Sequence, residues 1–164
     1  MYFDKMIDLL SNSAHLRGRI IDGTIQVERL IDDYLAKYFC QSQRKSNELK
    51  ELFFSTNSVV LDAKRSIFSV VIKRENPDFV KLNPKYLSRL DKFIPHRNIF
   101  AHAEIDTSSE AIANYKDEIV FFKYVNGEQK RHGYSTKKYI QLLQEVDYLT
   151  KKTQEALTAM PSMA

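Results

Sequence analysis

Residues 17 to 39 read RGRIIDGTIQVERLIDDYLAKYF, and their periodicity decides the fold class. Ile20, Val27, Leu30, Ile31, Tyr34 and Tyr38 recur at helical spacing with polar residues between them. Each residue of a helix advances by about 100°, so these side chains form one apolar stripe on a half-buried helix. The same period extends along the chain. A second helix is expected over about 46 to 55 and a third over about 58 to 75, where Val60, Ala63, Ile67, Val70 and Val71 keep the spacing until ENPD stops it. Pro84 opens a fourth helical region carrying Leu87, Leu90 and Ile94. A last helix is expected over about 136 to 158, with Ser135 as its N-cap and Pro161 beyond its end.

One segment breaks the helical rhythm. EIVFFKYVNGEQKRHGYS is rich in aromatic and β-branched residues and has Asn126-Gly127 at its centre. Both residues tolerate positive φ, which predicts a β-hairpin over about 118 to 134. The expected architecture is mainly α: an up-and-down helical bundle of four to five long helices with a β-hairpin insertion before the last one. At 164 residues, with four glycines and four prolines, the chain suits one domain spanning 1–164.

Composition removes several classes of function. No apolar run reaches the roughly 18 residues of a membrane span, and Asp4 and Asp8 interrupt the apolar start, so neither a membrane nor a secretory route is expected. The single cysteine, Cys40, forms no internal disulfide, which fits a cytoplasmic setting, and its place at the end of an apolar stripe suits a packed thiol. No phosphate-loop or dinucleotide glycine pattern occurs, and His15, His96, His102 and His132 lack metal-ligand spacing, so no cofactor and no metal are expected. One or both of Asp32 and Asp33 are expected to face solvent rather than hold a cation.

Charge points to a polyanion. Seven Lys or Arg stand against three acids between Lys73 and Arg97, a local excess that equals the chain's net charge of +4. Lysines and arginines gathered this way suit a polyanion, because each cation placed on a phosphate releases a counterion, and they equally suit a solvated helix face with an ordinary lysine excess. Lys81, Lys85, Arg89, Lys92 and His96 are the candidate RNA-binding residues. His132, beside Arg131 on the hairpin, is expected as an exposed turn residue, and His15 carries no signal.

The same region ends in RNIFAH, residues 97 to 102. Asn98 and His102, four apart on a helix, lie one turn above each other, with Arg97 on the adjoining edge. A neutral imidazole can take a proton and return it, and a guanidinium can neutralise charge growing on a phosphate. Asn98 can orient the ring or bond the phosphate. These groups suit cleavage of RNA by its own 2′-hydroxyl, so Arg97, Asn98 and His102 are the candidate catalytic residues. Arg89 and His96 repeat the bare spacing, but Leu90 follows that arginine and Pro95 precedes that histidine. Packing supplies a different account of the motif, with a core His102 and an Arg97 ion pair to Glu104 or Asp106.

The motif and the order of helices resemble the HEPN superfamily over most of the chain. Its mark is Arg, commonly a polar residue such as Asn, and then His, which Arg97, Asn98 and His102 match. The resemblance implies a helical bundle, often homodimeric, acting as a metal-independent endoribonuclease with motifs that meet across the dimer. It also implies a toxin or antiphage setting with an antitoxin of nucleotidyltransferase type. A noncatalytic module that binds RNA, nucleotide or a partner protein is the alternative within the same resemblance.

Overall fold

The computed structural model of the chain describes residues 2–56 and 59–160. It is mainly helical, with a small antiparallel sheet. The helices are α1 (Tyr2–Phe39), α2 (Gln43–Leu49), α3 (Leu61–Glu75), α4 (Pro77–Leu82), α5 (Tyr86–His102), α6 (Ser109–Asn114) and α7 (Thr136–Thr158), and a π-helical turn, Lys50–Phe54, continues α2. The strands are β1 (Glu104–Ile105), β2 (Glu118–Val125) and β3 (Glu128–Ser135), in that order across the sheet. Contacts gather into two compact units: Met1–Thr24 with Lys92–Val146, and Ile25–Asp91 with Asp147–Ala164.

The first unit contains the hairpin. Asn126 and Gly127 both take positive φ, 54° and 81°, as the two-residue turn requires, and Phe121 pairs with His132 and Ile119 with Tyr134 across it. Alternation then sends Ile119, Phe121 and Tyr134 to the buried face. Phe100 of α5 meets Tyr134 and Phe121 with ring centroids 4.6 and 5.3 Å apart. α1 and α7 approach closely at Gly23, where an added Cβ would collide with a Val146 methyl. Ser135 caps α7 through Lys138 N–H, as expected, while Pro161 lies outside the described residues.

The second unit is organised around an ion cluster. Lys64 of α3 is 2% exposed, and its ammonium donates to Glu28 Oε1 at 2.7 Å, Asp32 Oδ2 at 3.0 Å and the Phe54 carbonyl at 2.7 Å. Three acceptors match its three donors, which is what a buried ammonium needs. This cluster bears on two expectations. Asp32 is buried, and Asp33, paired with Lys50, is the one of the two that stays near the surface. The buried stripe of α3 is Leu61, Lys64, Phe68, Val71 and Ile72, whereas Val60, Ala63, Ile67 and Val70 are exposed. The apolar pattern misplaced that face because a charged residue occupies its centre.

Other boundaries differ in smaller ways. α1 begins 15 residues before the expected start at 17, and the expected start of α3 at residue 58 lies outside the described residues. ENPD does end α3, but Asn76 also caps a new helix, accepting from Phe79 N–H ahead of Pro77 at the first turn. Pro95 neither opens a helix nor ends one: α5 continues through it. It sits on the exposed side, where water can take the carbonyl left by its missing N–H.

Burial pushes the Asp32 carboxyl up to about 6, against the pull of Lys64. A carboxyl raised on folding binds its proton more tightly in the native state, so its ionisation weakens the fold as pH rises from about 4 to about 6. Urea unfolding is therefore expected to show the stability of wild type relative to Asp32→Asn growing as pH falls through that window, by on the order of 1–3 kcal/mol. A difference that stays flat across it would mean that Asp32 is not a strained acid.

Candidate active site

Arg97, Asn98 and His102 all lie on the last two turns of α5, within the first unit. Phe93, Ile94, Ile99, Phe100 and Ala103 bury the opposite side of this stretch. That leaves Pro95, Asn98 and His102 on one exposed face, with Arg97 half-buried at its edge. The Arg97 Nη1 donates to Asn98 Oδ1 at 3.2 Å, which draws the guanidinium toward the exposed face. His102 is exposed and forms no hydrogen bond or ion pair with the described residues. The packing account of the motif does not match this geometry: Asp106 is held by Arg131 at 2.6 Å, and Arg97 pairs with no acid among the described residues.

The end of α5 is fixed from three directions. Arg17 of α1 donates from Nη2 to the Ala103 carbonyl at 2.5 Å, with its guanidinium 4.8 Å from the Phe121 ring centroid. Two residues after His102 the chain enters β1, where Glu104 and Ile105 pair with Phe122 and Phe121. Asp106 N–H then donates to the Val120 carbonyl, and Asp106 Oδ1 accepts from Ser108 N–H. Burial works to raise the Asp106 carboxyl, but the Ser108 N–H and Arg131 outweigh it and hold it below its ordinary value. An imidazole at a helix end tied down this way has a fixed base under it.

The other candidate residues divide. Lys81, Lys85 and Lys92 are exposed. Arg89 is half-buried, with its guanidinium 3.5 Å from the Tyr148 ring centroid in the second unit, a stacked cation rather than a solvated one. His96 is half-buried, its Nδ1 bonded to the Tyr134 hydroxyl at 3.0 Å. Burial first, then Lys138 and His132, holds its pKa below the ordinary histidine value. A neutral imidazole bonded to a tyrosine packs the hairpin against α5 and brings no positive charge to a phosphate. His132 belongs to β3, not to a turn. It is half-buried, with Nε2 enclosed and unpartnered, and burial together with Lys123, Lys138 and Lys130 lowers its pKa.

Arg17 and Tyr134 escaped the sequence reading. Their partners lie 86 and 38 residues away, a separation that no local spacing reveals. No group of three or more His, Cys, Asp or Glu with metal-holding geometry occurs among the described residues. No family model, no curated protein and no solved structure matches the chain.

Proposed function

We propose that the chain is a metal-independent endoribonuclease of the HEPN kind, acting at the α5 face of Arg97, Asn98 and His102. The observation that carries this reading is the exposed His102, unbonded within the described chain and one turn beyond an Asn98 that already holds the Arg97 guanidinium. A histidine kept for packing is enclosed and bonded, as His96 is. An imidazole open to solvent beside a guanidinium and an amide suits a phosphodiester.

The chemistry follows from these groups. The imidazole takes the 2′-hydroxyl proton as the 2′-oxygen bonds to phosphorus, and the guanidinium offsets charge on the nonbridging oxygens. The bond from phosphorus to the 5′-oxygen breaks, and that oxygen leaves with a proton from a second acid. The products are a 2′,3′-cyclic phosphate and a 5′-hydroxyl. Each chain offers one His102, so the second acid in this reading is the His102 of a second copy. A stripe on α1, Phe3, Ile7 and Leu10 at 64%, 49% and 41% exposure, supports such a homodimer, because one helix face stays apolar and uncovered. Lys81, Lys85 and Lys92 supply phosphate contacts. The same reading takes the long helices as an up-and-down bundle, places the protein in the cytoplasm and gives it an antitoxin partner of nucleotidyltransferase type.

Purified protein incubated with total RNA in excess EDTA tests the activity directly. Cleavage leaving 2′,3′-cyclic ends is the expected result, and RNA that stays bound and intact would reduce the function to binding. Arg97→Ala and His102→Ala are expected to keep the wild-type melting temperature and RNA affinity while losing cleavage by about a hundredfold or more. Wild-type cleavage by the His102→Ala protein would remove the motif from the chemistry.

Composite sites make a further demand. Mixed dimers of one wild-type and one His102→Ala chain are expected to retain less than half of the wild-type activity, since the altered chain damages a site that its partner also uses. Light scattering that finds a cleaving monomer at micromolar concentration would end the two-copy arrangement.

A further inference from the structure

Two lysines stand directly opposite each other in the hairpin: Lys123 of β2 pairs in register with Lys130 of β3. Opposed residues of an antiparallel pair have Cβ atoms about 4.5–5.5 Å apart, and like charges placed there destabilise the sheet. Both lysines are exposed, and neither pairs with an acid among the described residues. Glu128, two residues before Lys130, is the acid on the same face of the ribbon, and it forms no ion pair with them. A cross-strand lysine pair without a counter-charge is a repulsion that a bound anion would relieve.

More positive charge lies along this face. Alternation puts Lys130, His132 and Tyr134 in one row, successive members about 7 Å apart. The Lys138 ammonium reaches the row from α7: it lies 4.4 Å from the Tyr134 ring centroid and donates to the Gly133 carbonyl at 2.9 Å. Burial, then Lys123, Lys138 and Lys130, lowers the His132 pKa, and burial, then Lys138 and His132, lowers that of His96. Three lysines from two strands and a helix therefore bear on the same pair of rings. On α5, exposed Lys92 lies one turn before His96, at i and i+4. All four lysines belong to the unit that carries Arg97, Asn98 and His102, whereas Lys81 and Lys85 belong to the other.

The rest of the hairpin narrows the kind of partner. Tyr124, its exposed aromatic residue at 66%, lies on the opposite face, so the lysine face offers no aromatic anchor of the kind that centres a protein interface. It offers separate, hydrated ammoniums instead. These suit a chain of phosphates, where each contact releases a counterion and no single geometry is required.

We propose that Lys123, Lys130 and Lys138 form a docking edge for the phosphate backbone of single-stranded RNA, holding the strand on the unit that carries the α5 motif. The choice of RNA rests on the ribonuclease reading, while the edge rests on the register of the hairpin. Fluorescence anisotropy with a labelled 2′-O-methyl RNA of about 12 nucleotides tests it, because that strand lacks the free 2′-hydroxyl and stays whole whether or not the protein cleaves RNA. Lys123→Gln/Lys130→Gln is expected to weaken binding by about tenfold or more at about 100 mM salt, and to flatten the slope of log affinity against log salt by about 1.4, two contacts at about 0.7 each. Lys138→Gln is expected to weaken it severalfold. Lys5→Gln/Lys151→Gln removes the same charge from exposed positions elsewhere and is expected to weaken binding by less than about threefold, since distant charges are screened. The melting temperature of Lys123→Gln/Lys130→Gln is expected to stay unchanged or rise, because the repulsion leaves with the charge. Equal losses in the two double variants would reduce the edge to general positive charge and overturn the proposal. So would a lowered melting temperature with unchanged affinity. Displacement of the RNA by poly-glutamate of equal charge at equal concentration would make the partner an acidic protein and overturn the choice of RNA.

Discussion

Tyr134 is the side chain on which the first unit depends. Its hydroxyl meets His96 Nδ1, its ring packs on Phe100 and Phe121, and the Lys138 ammonium lies 4.4 Å from its centroid. One residue therefore joins α5, the hairpin and the start of α7. It is 2% exposed, and burying an aromatic ring with its polar end satisfied is a large and directional contribution. The face of α5 that turns inward at His96 and Phe100 leaves Asn98 and His102 facing outward.

Much of this was legible in the sequence. The stripe at 17 to 39 put Ile20, Val27, Ile31 and Tyr34 in the core, and Asn126-Gly127 placed the hairpin turn, because both signals are local and both follow from backbone geometry. The shared face of Asn98 and His102 followed from helical spacing in the same way, while its exposure did not. What failed was long-range or short. A buried lysine inverted the inferred face of α3, since periodicity treats charge as solvent-facing and cannot see Glu28, Asp32 and the Phe54 carbonyl waiting for it. α4 and α6, six residues each, and β1, two residues, are too brief to show a period.

The fold also thins out the positive charge that composition advertised. Between Lys73 and Arg97, Arg74 pairs with Glu75, Arg89 stacks on Tyr148 and Arg97 bonds Asn98. Lys73, Lys81, Lys85 and Lys92 remain solvated, a smaller set than the raw count suggested. Four exposed ammoniums still suit a polyanion, because such binding draws on released counterions and tolerates mobile, separated charges.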